Sequence, residues 1–593
     1  MTSGPAEPQA ALTPSLHDER TLLARDLGAR GSRSDIAGAD PGAELSPTAA
    51  AVLAAIPSWW TAQAVAAGLS GRWLDVRECI DVDAPVATTA DSTLDKSWGA
   101  LSAEDVGTAY VDALSGATRA RHGRHYTPPR LAERLWAMSR AALGHSRAPR
   151  ALDGLVRDPA CGAGALLLPI LREHLAASHQ VDPRVVLAGL PNLIEGVDVD
   201  PAAVWIANVV LAAEMLPLLR RVPSIRRRPL PVLARVGDGL APTEAKARLV
   251  VMNPPYGRVR LSEEDRRRFS PVLYGHANLY SLFVAAGIDG LDDRGTLAAV
   301  VPTSFTSGRY FANLRSAIAA SSPLRDITFV TRRNGVFSTV LQETCLAVFT
   351  RQRARRTTIN CLDGENVQAV ASVKARHGEG PWVLPRRADD APIAAAAAAM
   401  PLTLLSAGWS ASTGPLVWNR RQDDLHAEAG PDRAHVLWAS DIDGGVLHQD
   451  PARNALRYLT LRDDPDRAVM LLAEPAVLVQ RTTAPEQRRR LVAVELTDED
   501  LVGIGPVVVE NHVNVLRPKA INPQISRACL ARLLRTRTLD RLTRCISGSV
   551  ALSAYELESL PLPAPATLAS WEQLEDEELE QAVARAYRPV PER

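Results

Sequence analysis

Little in the composition of this chain commits it to a compartment or a partner. Its 67 basic and 67 acidic side chains cancel to a formal net charge of +0, which excludes a globally basic nucleic-acid binder and leaves any such surface to a local patch. Six cysteines in 593 residues are scattered, with neither paired metal-ligand spacing nor a secreted disulfide framework. A reduced, cytoplasmic chain without a metal site is expected. No basic-then-apolar leader opens the sequence, and no uncharged apolar run reaches the roughly 18 residues that cross a bilayer, so no membrane association is expected. There is no fixed-period internal repeat. What is present, 46% apolar and 23% charged residues, is the balance of a soluble globular protein. The length suggests roughly two to four domains.

The most informative stretch is Leu249-Val250-Val251-Met252-Asn253-Pro254-Pro255-Tyr256-Gly257. Four apolar residues, too few for a helix, predict a buried parallel strand. The strand must stop at Pro254 and Pro255, which cannot donate to a ladder. Ligands of open α/β sheets bind at the carboxyl ends of strands, and this end carries a carboxamide, rigid main-chain carbonyls and an aromatic ring. An amide oxygen and a fixed carbonyl can together accept both hydrogens of one amino group, while the ring can stack on the heterocycle that bears it.

Other elements follow the same logic. Thr127 is a good N-cap with Pro128 at the first helical position, and Leu131, Leu135 and Met138 share one face. Leu155 to Gly164 predicts a strand, a glycine turn and a helix, with Pro169 kinking that helix or delaying its start. Leu193 to Pro201 predicts a strand ending in acids, Asp200 capping the helix that starts at Pro201. The charged loop from Arg258 to Ser270 suits ordering on a substrate, and an amphipathic helix opens near Asn278. Tryptophans 59, 60, 73 and 98 lie in a helically patterned stretch and are read as core.

Asn253-Pro254-Pro255-Tyr256 resembles the catalytic motif of S-adenosylmethionine-dependent amino-methyltransferases, above all the DNA N6-adenine enzymes, with protein and RNA methyltransferases as relatives of the motif. The resemblance implies a Rossmann-like methyltransferase domain, mostly a parallel seven-stranded sheet. It assigns Tyr126, Thr127 and Pro128 to the methionine part of the cofactor, and Asp158, Ala160, Gly162 and Gly164 to the glycine loop. Asp158 would face the sulfonium and amino group, Asp198 the ribose hydroxyls and Asp238 the adenine amine. Asn253 and Pro254 would accept the hydrogens of the target amine, with Pro255 completing the turn. Tyr256 and Phe337 would contact an extruded base, although Phe337 also reads as a buried strand-edge residue.

The implied organisation is 1–47 disordered, 48–120 a helical lobe, 121–355 the methyltransferase domain and 385–593 an α+β target-recognition domain. In the last, Arg481, Arg517, Arg535 and Arg541 are candidate DNA contacts. Arginines recur from Arg527 to Arg544 with only Asp540 opposing them, which suits phosphate contact or a merely wet face. The acidic Glu572–Glu580 stretch reads as a solvated tail. The expected partners are double-stranded DNA and other restriction or phage-defence subunits. Alternatives are an N4-cytosine enzyme, which usually carries serine where Asn253 stands, a protein or RNA methyltransferase, and a non-catalytic DNA-binding subunit. A fused nuclease finds no convincing carboxylate–lysine set.

Overall fold

The alternation of short apolar strands with helices becomes a layered sheet in the computed structural model. It describes residues 46–85, 96–115, 126–145, 148–330, 343–352, 354–374, 378–448, 453–483, 488–547 and 551–589. The expectations for residues 1–45 and for Phe337 lie outside these.

The N-terminal lobe is built on helix Pro47–Ala66 (α1), capped by Ser46, and helix Ala103–Ala113 (α2), held by a Ser102–Asp105 capping box. Trp59, Trp60 and Trp73 are buried between them as core. Helix Pro129–Ala142 (α3) leads into the sheet. Then come strand Val156–Asp158 (β1), helix Leu167–Ala177 (α4), strand Ile194–Asp198 (β2), helix Pro201–Arg221 (α5), strand Ala234–Val236 (β3) and strand Ala247–Met252 (β4). Pro169 sits in the first turn of α4, so the late helix start is what the proline enforces. Asp200 caps α5 through a bond accepted from the Ala202 amide.

Helix Leu279–Asp289 (α6), strand Leu291–Pro302 (β5), helix Ala312–Ser321 (α7), strands Leu324–Val330 (β6) and Thr344–Thr350 (β7) complete the core. The α6 helix is buried nearly all round, where its pattern had predicted an amphipathic one. The sheet order is β3-β2-β1-β4-β5-β7-β6, parallel except for β7, which runs antiparallel between β5 and β6. The expected seven strands are extended to nine by a hairpin, Arg356–Asp363 (β8) and Asn366–Lys374 (β9), with β8 pairing parallel to the β6 edge. The sheet therefore continues past residue 355. An exposed β6 edge would otherwise offer unpaired main-chain groups.

Burial on both faces explains the uninterrupted apolar run at the centre. Leu249 and Val251 enter a core with α1 to α5, while Val250 and Met252 enter the opposite core with α6 and α7. Two helices, α1 and α5, are long and apolar enough to cross a membrane by length and composition, although Thr48, Ser58, Thr61 and Gln63 interrupt the first and Asn208 and Glu214 the second. Most of α5 is buried inside the protein.

The C-terminal part is α+β. A four-stranded sheet orders Trp409–Thr413, Val513–Pro518, Ala476–Gln480 and Ala493–Leu496, and a five-stranded sheet surrounds Arg433–Leu437. Helices Arg527–Leu534 (α8), Arg537–Ile546 (α9) and Asp576–Ala586 (α10) pack together. The acidic segment is thus no solvated tail: Leu579 and Val583 of α10 are in the core, Asp576 pairs with Arg532 of α8, and Glu580 accepts from the Arg537 amide of α9.

Candidate active site

The crevice opens where the strand order reverses, between β1 and β4, and the turns after β1, β2 and β4 all empty into it. This is the position at which an open α/β sheet binds ligands. Asp158, Ala160 and Gly162 after β1, Asp198 after β2, Asp238 after β3, and Asn253 and Pro255 after β4 line one cavity, together with Tyr126 and Thr127. Pro128, Gly164, Pro254 and Tyr256 are not on its wall. Gly164 instead seats the loop on Ala207 of α5, and Pro128 is the N-cap of α3.

Gly162 holds φ +49, a left-handed conformation that costs glycine nothing, and this turns its amide onto the Asp198 carboxylate at 2.9 Å. The other Asp198 oxygen accepts from the Asp200 amide at 2.9 Å. Two main-chain donors therefore fix the carboxylate at the strand end. Gly239, next to Asp238, lies so close to the Pro159 carbonyl that a Cβ would fall 1.7 Å from its oxygen. Only glycine lets the β1 and β3 turns approach this closely.

Asp158 is 1% exposed. Among the described residues its carboxylate accepts one hydrogen bond, from the Ala160 amide at 3.1 Å, and no cation pairs with it. Burial pushes its pKa up to about 8, with the Asp198 charge adding to the rise and the Ala160 amide opposing it. Among the described residues the buried Tyr126 hydroxyl has no hydrogen-bond partner. A buried acid lacking a cation and an orphaned hydroxyl on the same cavity fit a ligand that brings a positive charge and polar atoms.

The Asn253 amide is held at both ends. Its Nδ2 donates to Thr127 Oγ1 at 3.0 Å, and its Oδ1 accepts from the Tyr256 hydroxyl at 3.1 Å. That hydroxyl also lies 3.2 Å from the Val300 carbonyl, and burial raises its pKa well above its ordinary value, so it stays a neutral donor. Thr127 therefore does not cap α3 as its position suggested. The helix begins at Pro129, one residue later, because the Thr127 hydroxyl is engaged across the crevice. The Tyr256 ring stands edge-on to Tyr280, centroids 6.1 Å apart.

Sequence reasoning missed part of the wall. Tyr110, Val111 and Leu114 of the N-terminal lobe line the cavity, as do Leu279 and Phe283 of α6. Gly107 lets α2 lie against the Tyr126 ring, since a Cβ there would meet the ring at 2.5 Å, and the Tyr110 hydroxyl donates to Asp200 Oδ2 at 2.8 Å. The signal was present as the helical spacing of Gly107, Tyr110, Val111 and Leu114 on one face of α2.

The nominated arginines fare differently. Arg517 is exposed and pairs with no carboxylate among the described residues. Arg481 donates to the Asn511 carbonyl at 3.2 Å. Arg535 lies 3.8 Å from Asp576 and Arg541 bonds the buried Asp390 at 2.6 Å. Along the same stripe Arg527 pairs with Glu495 and Arg532 with Asp576. The view that only Asp540 opposes these arginines is corrected: the opposing acids come from elements distant in sequence.

Residues 241–337 match the family described as Eco57I restriction-modification methylase. The chain is 25% identical over 339 residues to the type II methyltransferase M.PstI of Providencia stuartii, covering 55% of this chain and 66% of that protein. It is 23% identical over 326 residues to the type II methyltransferase M.BsuBI of Bacillus subtilis, covering 53% and 64%. The matches thus span just under two thirds of these relatives. The type IIL restriction-modification enzyme MmeI, solved in complex with DNA, shares the fold with a TM-score of 0.50 at 14% identity, over 83% of this chain and 78% of that one.

Proposed function

We propose that this relative of the restriction-modification methylases is a site-specific DNA methyltransferase that uses S-adenosylmethionine to methylate the 6-amino group of an extruded adenine in cytoplasmic double-stranded DNA, within a restriction-modification or phage-defence system. The observation that carries the reading is the Asn253 amide, clamped by Thr127 and Tyr256 on a cavity also lined by Asp158, at the end of the neighbouring strand β1, which pairs with no cation among the described residues.

When bound, the cofactor supplies an electrophilic methyl group. The chain's own residues do the rest. Asp158, ionised beside a positive charge, holds the cationic end, and Asp198 and Asp238, oriented by main-chain amides, receive hydroxyl and amine donors. Thr127 accepts from Asn253 Nδ2 and so keeps Oδ1 turned toward the target. An exocyclic amine is a poor nucleophile because its lone pair is delocalised into the ring. Acceptance of its hydrogens by Asn253 Oδ1 and the Pro254 carbonyl favours a tetrahedral nitrogen, a preorganised electrostatic effect. Burial of Leu279 and Phe283 on the cavity wall excludes water from the same space.

Extruding a base costs a few kcal/mol, and one aromatic stack returns about 1–3 kcal/mol. Tyr256 alone only about offsets it, so contacts to the DNA backbone must supply the remainder.

The test is expression in a methylation-free host followed by modified-base sequencing and nucleoside analysis. N6-methyladenine at one short motif is expected. Asn253→Ala should lower the rate about 10²–10³-fold, the cost of one lost electrostatic partner, while cofactor affinity stays within a few-fold. Methylcytosine instead of methyladenine, or undiminished methylation by Asn253→Ala, would refute the assignment.

A further inference from the structure

The loop that leaves the catalytic turn returns to it at once. The Gly257 carbonyl accepts from the Leu279 amide at 2.9 Å, and Arg258-Val259 pairs antiparallel with Ala277-Asn278. On the returning arm of this closed loop stand Tyr274 and His276, and beside them Arg309 and Tyr310 from the turn before α7. The rings form one cluster: Tyr274 to Tyr310 at 6.4 Å and His276 to Tyr310 at 6.0 Å. The Arg309 guanidinium lies 5.3 Å from the Tyr274 ring centre. Asn313 fixes the loop by donating to the Leu273 carbonyl at 2.7 Å.

These side chains are exposed, Tyr274 by 38% and Tyr310 by 46%, although both are large aromatics that folding would normally cover. Among the described residues Arg258, Arg260 and Arg309 pair with no carboxylate. The acids of the loop are Glu263, Glu264 and Asp265. They open the short helix Glu263–Arg268, where Asp265 is bonded to its own N-cap Ser262. Arg268 is taken by the Leu240 carbonyl and the Phe269 ring. The patch therefore keeps a surplus of positive charge next to open aromatic faces.

It is also mechanically continuous with the site. Tyr280 meets Tyr256 at 6.1 Å and Phe311 at 5.2 Å, and Phe311 follows Tyr310 directly. Two ring contacts thus separate the exposed cluster from the catalytic turn, a span of a few nucleotide steps at about 3.4 Å each.

We propose that Tyr274, His276, Arg309 and Tyr310, with Arg258 and Arg260, form the surface that holds the DNA strand flanking the extruded nucleotide, the guanidinium groups on phosphates and the tyrosine rings on neighbouring base faces. The inference rests on the reading of this chain as a DNA methyltransferase. Sequence-tolerant binding of unstacked strand combines just these elements, aromatic platforms and backbone charge.

The full-length chain with S-adenosylmethionine is titrated with a duplex carrying the methylated motif mapped in host DNA, 2-aminopurine replacing the target base. Arg309→Ala should weaken DNA affinity about fivefold or more and reduce the salt slope by about one contact. Tyr310→Ala and Tyr274→Ala should each reduce affinity or the 2-aminopurine fluorescence by at least about fivefold, the lower end of a base stack, and Tyr310→Phe should restore the signal. Cofactor affinity should stay within about twofold in every variant, which reports an intact fold. If Tyr310→Ala loses cofactor binding because Gly275 packs on its ring, Arg309→Ala and Tyr274→Ala decide the matter. Wild-type values in these variants, as a protein-docking patch would give, overturn this inference alone. A wild-type chain that neither methylates nor binds duplex overturns the functional reading, and this inference falls with it.

Discussion

The acid-lined crevice and the α8–α9 helix pair are both places where the sequence concentrates charge of one sign, and the fold treats them in opposite ways. In the crevice Asp158 is buried with no cation beside it among the described residues. In the helix pair Arg527, Arg532 and Arg541 are met by Glu495, Asp576 and Asp390, carried on other elements. Charge that the chain matches internally builds architecture, whereas charge left unmatched in a buried place is a demand on a ligand. The density of like charges in the sequence does not distinguish the two; the partners do.

The largest effect that would sharpen this contrast is at the unmatched acid. Asp158→Asn should weaken S-adenosylmethionine binding about 10–100-fold, the range of a hydrogen bond to a charged group, as read by calorimetry. Its stability effect should run the other way. The Asp158 pKa, about 8 in the fold, lies above its ordinary value, so the folded protein retains a proton that the unfolded chain releases. The group is therefore harmless to stability in acid and increasingly costly as pH rises toward 8. Asp158→Asn should melt higher than the wild type at pH 8, with the gap closing toward pH 4. By the same linkage, binding the cationic cofactor at pH 7 should release a proton and tighten as pH rises to about 8; a pH-independent affinity would contradict the unmatched charge.

At the matched site the expectation is reversed. Arg541→Ala strands Asp390, which is 4% exposed, and should cost about 1–3 kcal/mol of stability in denaturant melts, discounted because the arginine itself is partly solvated. DNA affinity should be unchanged. A loss of DNA affinity without loss of stability would place Arg541 at a nucleic-acid contact and break the contrast. The smallest effect concerns the tie between lobe and sheet. Tyr110→Phe removes the bond to Asp200, and should lower stability by about 1 kcal/mol with cofactor affinity changed less than about threefold.

What the sequence made legible was local. Pro254 and Pro255 end β4, Asp200 caps α5, Pro169 delays α4, and the acids after β1, β2 and β3 reach one cavity. Each of these depends on neighbours within a few residues. What escaped depends on contacts between distant segments. Thr127 has the chemistry of a cap, yet Asn253, 126 positions away, engages its hydroxyl. The acidic α10 has a tail's composition, yet Leu579 and Val583 seat it on α8 and α9. The β8–β9 hairpin lies beyond the expected domain end at residue 355, yet β8 pairs with the β6 edge. Helical spacing revealed an apolar face on α2 but not that the face overhangs a ligand site.

That overhang has its own consequence. The crevice floor is sheet, but Tyr110, Val111 and Leu114 make one of its sides from a helix that precedes the first strand, with the Tyr126 ring seated against Gly107. A version trimmed to the strands and their crossover helices would keep every acid and the Asn253 amide while leaving the basin without a bank. Closing the side of the basin thus belongs to the lobe as much as to the loops.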